Sequence, residues 1–262
     1  MPLAASITLM FRELPLLERF AAARAAGFLG VEIQRLHEGD PQEMARAARD
    51  AGVEVVLVNV GLGDFLDGGH GLSGVPGCEA QFRDAFDRAV TAADELRAHH
   101  LHLGPSRIPD GISVHNCLRV YEANVHDALH ASERYGTSLL VEAMNDVEFP
   151  TALFAAVDSA ARMVSQLDHP RIGLQFDTYH TAMNDEDIVA AYRRHRATVR
   201  HVQFADAPGR HEPGTGRANV AVVLADIRAS GYAGWFGVEY RPLATTNGGL
   251  SWMTDDRFRS LA

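Results

Sequence analysis

The segment HVQFADAPGRHEPGTG (residues 201–216) begins with residues that suit a buried parallel strand and then breaks into a loop rich in Gly and Pro. Five polar side chains gather at that transition: Gln203, Asp206, Arg210, His211 and Glu212. In open and closed parallel sheets, functional groups collect at the C-terminal ends of the strands. The segment therefore poses a fold question before a chemical one: whether enough similar strands exist to form a common edge.

Working outward, seven more β-rich runs alternate with amphipathic helical stretches. The strands expected are SITLM (6–10), GVEIQ (30–34), VEVVLVNV (53–60), HLHLG (100–104), SLLVE (138–142), IGLQFD (172–177), RHVQFAD (200–206) and FGVEY (236–240). Helices are expected over 14–27, 40–52, 79–98, 116–135, 150–167, 185–196 and 218–230; the second has Asp40 as N-cap and Pro41 at its first position. No linker, low-complexity tract or composition break divides the chain. Eight strand–helix units in 262 residues match the size of a (β/α)8 TIM barrel, here expected as one domain over 1–262. A doubly wound sheet is the alternative, but no G-x-G-x-x-G follows the first strand.

Composition limits the chemistry. The formal charge is −10, from 34 acidic and 24 basic residues, which disfavours nucleic acid as partner and leaves a small molecule. Every basic residue is Arg, because the chain contains no Lys; Schiff-base chemistry and a P-loop are excluded. Cys78 and Cys117 are too few and too isolated for a disulfide framework or a thiolate zinc site, consistent with a reducing compartment. The first residues lack a basic segment and a long apolar core, and no apolar run is long enough to span a membrane. A cytoplasmic protein is expected. A homo-oligomer is compatible with the chain, although no heptad or long apolar stripe specifies one.

The strand ends carry the chemistry. Strand five ends in Glu142, strand six in Asp177, strand seven carries Gln203 and strand eight carries Glu239, at spacings of 35, 26 and 36 residues. One βα unit occupies about that length, so a barrel would bring four oxygen ligands to one mouth. Such a set suits a hard divalent cation, Mg²⁺ or Mn²⁺, better than zinc. Each residue also has a plain structural reading: a solvated Glu, an N-cap Asp, a Gln that satisfies a backbone group. The repetition at corresponding positions of four consecutive strands favours a shared site.

With these residues in view, HVQFADAPGRHEPGTG, GLQFDTYH, GYAGWFGVEYRP and ELPLLERFAAARAAGFLGVE resemble the hydroxypyruvate isomerase family, a branch of the xylose-isomerase-like barrels, over nearly the whole chain. The resemblance implies Glu142 and Glu239 as the acid–base pair, Glu142, Asp177, Gln203 and Glu239 as metal ligands, and His180 and Arg210 as substrate-binding groups. The implied reaction converts hydroxypyruvate to tartronate semialdehyde through an enediolate; the partner is thus a small hydroxy-oxo acid. A 2-oxo-tetronate isomerase, a sugar epimerase of the same fold and a non-catalytic sugar-binding barrel are the alternatives. The segment VEAMNDVEFP departs from the family pattern, which has Pro after the Glu. A nuclease of the endonuclease IV type shares the barrel but needs several zinc ions, many His ligands and a basic groove.

Other features are read more plainly. His100 and His102 alternate onto one face of strand four, and Glu32 on strand two needs a partner if it is buried. The Gly-rich stretch 59–77 reads as a lid or a surface loop, ATTNGG (244–249) as a phosphate- or carboxylate-binding turn, and Trp252 as a packing residue.

Overall fold

The computed structural model describes residues 1–259. The strands are β1 (Leu3–Ser6), β2 (Gly30–Ile33), β3 (Glu54–Asn59), β4 (His100–His102), β5 (Ser138–Glu142), β6 (Ile172–Asp177), β7 (Val199–Phe204) and β8 (Phe236–Val238). They close in sequence order into one barrel. Every neighbouring pair is parallel, including β1 with β8. The helices are α1 (Glu18–Ala25), α2 (Pro41–Ala51), α3 (Glu79–Glu95), α4 (Val114–Ala131), α5 (Val157–Leu167), α6 (Thr178–Met183), α7 (Ile188–His195), α8 (Val220–Ala229) and α9 (Asp256–Arg259).

Local chemistry sets several boundaries. Asp40 caps α2 by accepting from the Gln42 and Glu43 amides, Pro41 occupies the first turn, and Gly52 ends the helix in the left-handed region at φ 67°. Strand one lies upstream of its expected place. Residues beyond Ser6 turn back, with the Leu9 and Met10 amides donating to the Ser6 carbonyl, while Ile7 and Met10 are buried as loop side chains. Tertiary burial there overrides β propensity. The helix expected over 150–167 begins at Val157, and α6 is an additional short helix immediately after β6.

Alternation along the strands separates two layers. On β6, Ile172, Leu174 and Phe176 join the apolar layer between sheet and helices, as Val202 and Phe204 do on β7. The intervening residues, Gln175 and Asp177 on β6 and His201 and Gln203 on β7, belong to the opposite face, the barrel interior, and all four are buried. The barrel is packed outside with hydrocarbon, and its interior mixes apolar side chains such as Leu140 with polar groups bonded to one another.

Gly237 shows how tightly that interior is filled. A Cβ at this position would lie 2.0 Å from Glu32 Oε1 and 2.8 Å from Gln203 Cγ. Its missing side chain is the space that the Glu32 carboxylate occupies. Gly237→Ala is expected to destabilise the barrel by about 1–3 kcal/mol, the usual cost of overpacking. Urea unfolding of the variant checks this, and an unchanged midpoint would show that the interior can relax.

Candidate active site

The mouth assembles from the C-terminal ends of β5 to β8 and the loop after β7. Glu142, Asp177 and His180 each present a ligand-type atom within 4.8 Å of the others, and all three are buried. Asp177 caps α6 by accepting from the Tyr179 amide at 2.8 Å, so α6 places His180 one turn above it. Asp177 thus serves as the helix cap, and its other oxygen, Oδ2, faces Arg210 in the mouth. Glu142 Oε1 is buried without a hydrogen-bond partner, and Oε2 lies 3.5 Å from His102 Nε2.

Arg210 holds the two sides of the mouth together. Its NH2 group lies 2.7 Å from Asp177 Oδ2 and 2.7 Å from Glu239 Oε2, while Nε donates to the Glu239 carbonyl at 3.1 Å. The guanidinium also stands over the Tyr179 ring, 4.9 Å from its centroid. Arg210 reaches this position from a left-handed backbone conformation, φ 56°, directly after Gly209. The remaining polar residues of the opening segment fold the loop itself. Asp206 accepts from the Ala207, Gly214 and Ala218 amides, His211 Nδ1 meets the Arg241 carbonyl, and Glu212 accepts from the Leu243 amide.

Gln203 sits below this ring. Its carbonyl accepts from Gln175 Nε2 at 2.6 Å and its amide donates to Glu32 Oε2 at 2.7 Å. The four ligands expected from the sequence are thus brought to the same end of the barrel but not to one point: Glu142 and Asp177 face each other with His180, Glu239 joins through Arg210, and Gln203 is tied into the floor.

Burial sets the protonation chemistry. It pushes the Glu142 carboxyl well above the usual carboxylate range, reinforced by the charges of Asp177 and Glu239. Glu239 is pushed up to about 8, again by burial first, with Arg210 opposing. Asp177 is raised by burial against the pull of Arg210. Burial also works against the charge on Arg210, but Glu239, Asp177 and Glu142 outweigh it and hold the guanidinium protonated more firmly than usual. His180 is lowered well below its ordinary value by burial and by Arg210, and so is neutral. Donors meet both of its ring nitrogens: the Asn145 backbone amide at 3.2 Å and side-chain NH₂ at 2.8 Å on Nδ1, and the Arg210 guanidinium at 3.2 Å on Nε2, with Asp177 Oδ2 3.6 Å from Nε2.

Three residues that sequence reasoning did not assign to the site lie in it. His102 faces Glu142, Gln175 bridges toward Gln203, and Asn145 orients His180 while its side chain bonds Glu148. The even spacing on β4 and β6 was the available signal. The 59–77 stretch is tied down: Arg107 donates to the Phe65 and Gly69 carbonyls and stands over the Phe65 ring, and Ser73 meets Ser106. In the 244–249 turn, the Thr246 amide is already taken by the carboxylate of Glu13. Trp252 packs against Phe204 and Phe258. A cleft of about 530 Å³ opens on the β2–β3 side, lined by Gln34, Asn59 and Arg88 among others; its lining includes none of the mouth carboxylates.

The family model of xylose isomerase-like TIM barrels matches residues 20–255. The chain belongs to that family. It is 34% identical to a 2-oxo-tetronate isomerase of Cupriavidus necator over 95% of this chain and 96% of the relative. It is 29% identical to a hydroxypyruvate isomerase of Escherichia coli, covering 95% and 97%. A crystal structure described as a family 2 AP endonuclease from Brucella melitensis superposes with a TM-score of 0.91 at 33% identity, over 97% of this chain and 98% of that one.

The raised carboxyl groups fix a pH dependence. Unfolded, Glu239 titrates near 4.5; folded, it keeps its proton to about 8. Between those values the folded state binds a proton that the unfolded state has released, so this group's contribution is complete below about 4.5 and lost as pH rises through about 8. The chelator-treated protein is expected to lose thermal stability over that window, and saturating Mg²⁺ or Mn²⁺ to restore it at the upper end. Differential scanning calorimetry decides; a melting temperature that climbs across the window without metal would contradict the assignment.

Proposed function

We propose that the protein is an isomerase of a small hydroxy-oxo acid, with Glu142 and Glu239 as the proton-carrying pair. The observation that carries this reading is that two carboxyl groups with raised proton affinity, buried Glu142 and the 13% exposed Glu239, stand at the ends of β5 and β8, with Asp177 and Arg210 between them. Relatives along nearly the full chain bear the names of hydroxypyruvate and 2-oxo-tetronate isomerases. Hydroxypyruvate to tartronate semialdehyde is the first reaction proposed. The four-carbon 2-oxo-tetronate is the second, after the relative of that name in Cupriavidus necator.

The reaction moves a carbonyl to the adjacent carbon, so a proton must leave one carbon and a proton must return to its neighbour. A carboxylate in ordinary water is a weak base for that purpose. Burial raises the proton affinity of Glu142 and Glu239 and suits each to take a proton near neutral pH and give it back. Their strands are separated by β6 and β7 around the ring, so the two groups approach a bound substrate from different sides. His180 and the Arg210 guanidinium are the groups for substrate oxygens, and Arg210 is the donor for the carboxylate.

A divalent metal fits the same residues. The unpartnered Glu142 oxygen, the adjacent Asp177 carboxylate and the absence of thiols in the mouth describe a hard-cation site. Glu142, Asp177, Gln203 and Glu239 would hold Mg²⁺ or Mn²⁺, which would polarise the carbonyl and stabilise developing negative charge. A multi-zinc nuclease reading lacks its requirements: among the described residues this is the one cluster of three potential His, Cys or carboxylate ligands, and the chain carries a charge of −10.

The test is turnover in D₂O followed by proton NMR, with hydroxypyruvate and 2-oxo-tetronate offered separately. Deuterium should appear on the carbon that receives the proton, and Glu142→Gln and Glu239→Gln should each lower kcat by ~10²-fold or more. Near-normal turnover in either variant would remove that residue from the proton circuit.

A further inference from the structure

Under the mouth lies a buried acid that the proposed reaction does not use. Glu32 projects from β2 into the barrel with no exposed surface. Its Oε1 meets His201 Nε2 at 2.5 Å, and its Oε2 accepts from Gln203 Nε2 at 2.7 Å and from Gln34 Nε2 at 3.2 Å. These contacts come from β7 and from the residue after β2. On β8, Gly237 leaves the space for them. A carboxylate with this set of donors is built into the barrel.

The chemical consequence concerns direction. An amide side chain has a donor end and an acceptor end of nearly the same shape, and only its partners decide which faces which way. Burial favours the protonated form of Glu32; with its proton on Oε1, at the short contact to His201 Nε2, Oε2 still accepts, as it does in the ionised form. Gln203 must therefore turn its NH₂ toward Glu32 and its carbonyl away from it, to the Gln175 and Glu142 side of the mouth. The carbonyl there takes one hydrogen bond, from Gln175 Nε2 at 2.6 Å, and a carbonyl oxygen has two lone pairs. One remains for an ion.

We propose that Glu32 is a positioning residue that aims the Gln203 carbonyl at the metal site. The inference rests on the metal reading given under Proposed function and adds to it a residue two strands removed from the nearest ligand strand. Burial alone does not account for Glu32, since an apolar residue of similar length would fill the same space without desolvating a charge. What the carboxylate adds is a fixed polarity for the amide above it, as outer-sphere carboxylates do for metal-bound imidazoles.

Isothermal titration of Mn²⁺ into the chelator-treated full chain separates the outcomes. Glu32→Met keeps the length but removes the acceptor, and is expected to fold and to bind Mn²⁺ about 10- to 100-fold more weakly. Glu32→Gln, which keeps one carbonyl able to accept from Gln203, should recover part of that loss. A purely structural Glu32 would shift the melting temperature and leave Mn²⁺ affinity alone; affinity of a folded Glu32→Met within about twofold of the parent overturns the proposal, as does equal weakening in Met and Gln variants. A parent chain that binds no Mn²⁺ overturns the metal reading itself, and this inference with it.

Discussion

The mouth of this barrel depends on one electrostatic constraint: Glu142 and Asp177 are buried with the largely covered Glu239 beside them, and the three need positive charge. Arg210 supplies it, bridging Asp177 and Glu239 from the loop after β7. Removing water from a carboxylate is costly unless a partner compensates, and one guanidinium cannot neutralise three acids. Protons on the acids, or the proposed metal ion, would supply the rest. Burial, reinforced by the charge of neighbouring acids, raises the proton affinity of Glu142 and Glu239, which suits the proposed proton transfer.

The fold serves this constraint in layers. Hydrocarbon side chains on the outward face of the strands pack against the helices and leave the interior free for polar groups. That interior is ordered from floor to mouth: His201 and Glu32, then Gln203 and Gln175, then Glu142, Asp177 and Arg210. Glu13 and Glu212 keep the outer loops in place by taking backbone amides. Recognition and stability share residue types here but not positions.

Much of this was legible in the sequence because parallel strands advertise themselves. β5 and β6 begin and end where the apolar runs do, and Glu142 and Asp177 are their last residues. Strand one was displaced because ITLM reads as a strand by propensity, while burial of Ile7 and Met10 uses it as a loop. For His102 and Gln175 the alternation along β4 and β6 gave only the face, because their importance comes from partners on neighbouring strands that one chain's spacing does not name. The direction of the Gln203 amide was likewise invisible: it follows from Glu32, 171 residues away.

The central claim is that the mouth is a cation site completed by an ion and shared with Arg210. Crystals of the protein grown with Mn²⁺, measured at the manganese absorption edge, test it most directly. The account predicts a single anomalous peak among Glu142, Asp177, Gln203 and Glu239, with the Arg210 guanidinium turned from the carboxylates toward the substrate space. An occupied peak elsewhere, or Arg210 still bridging Asp177 and Glu239 with no peak at saturating Mn²⁺, would contradict it.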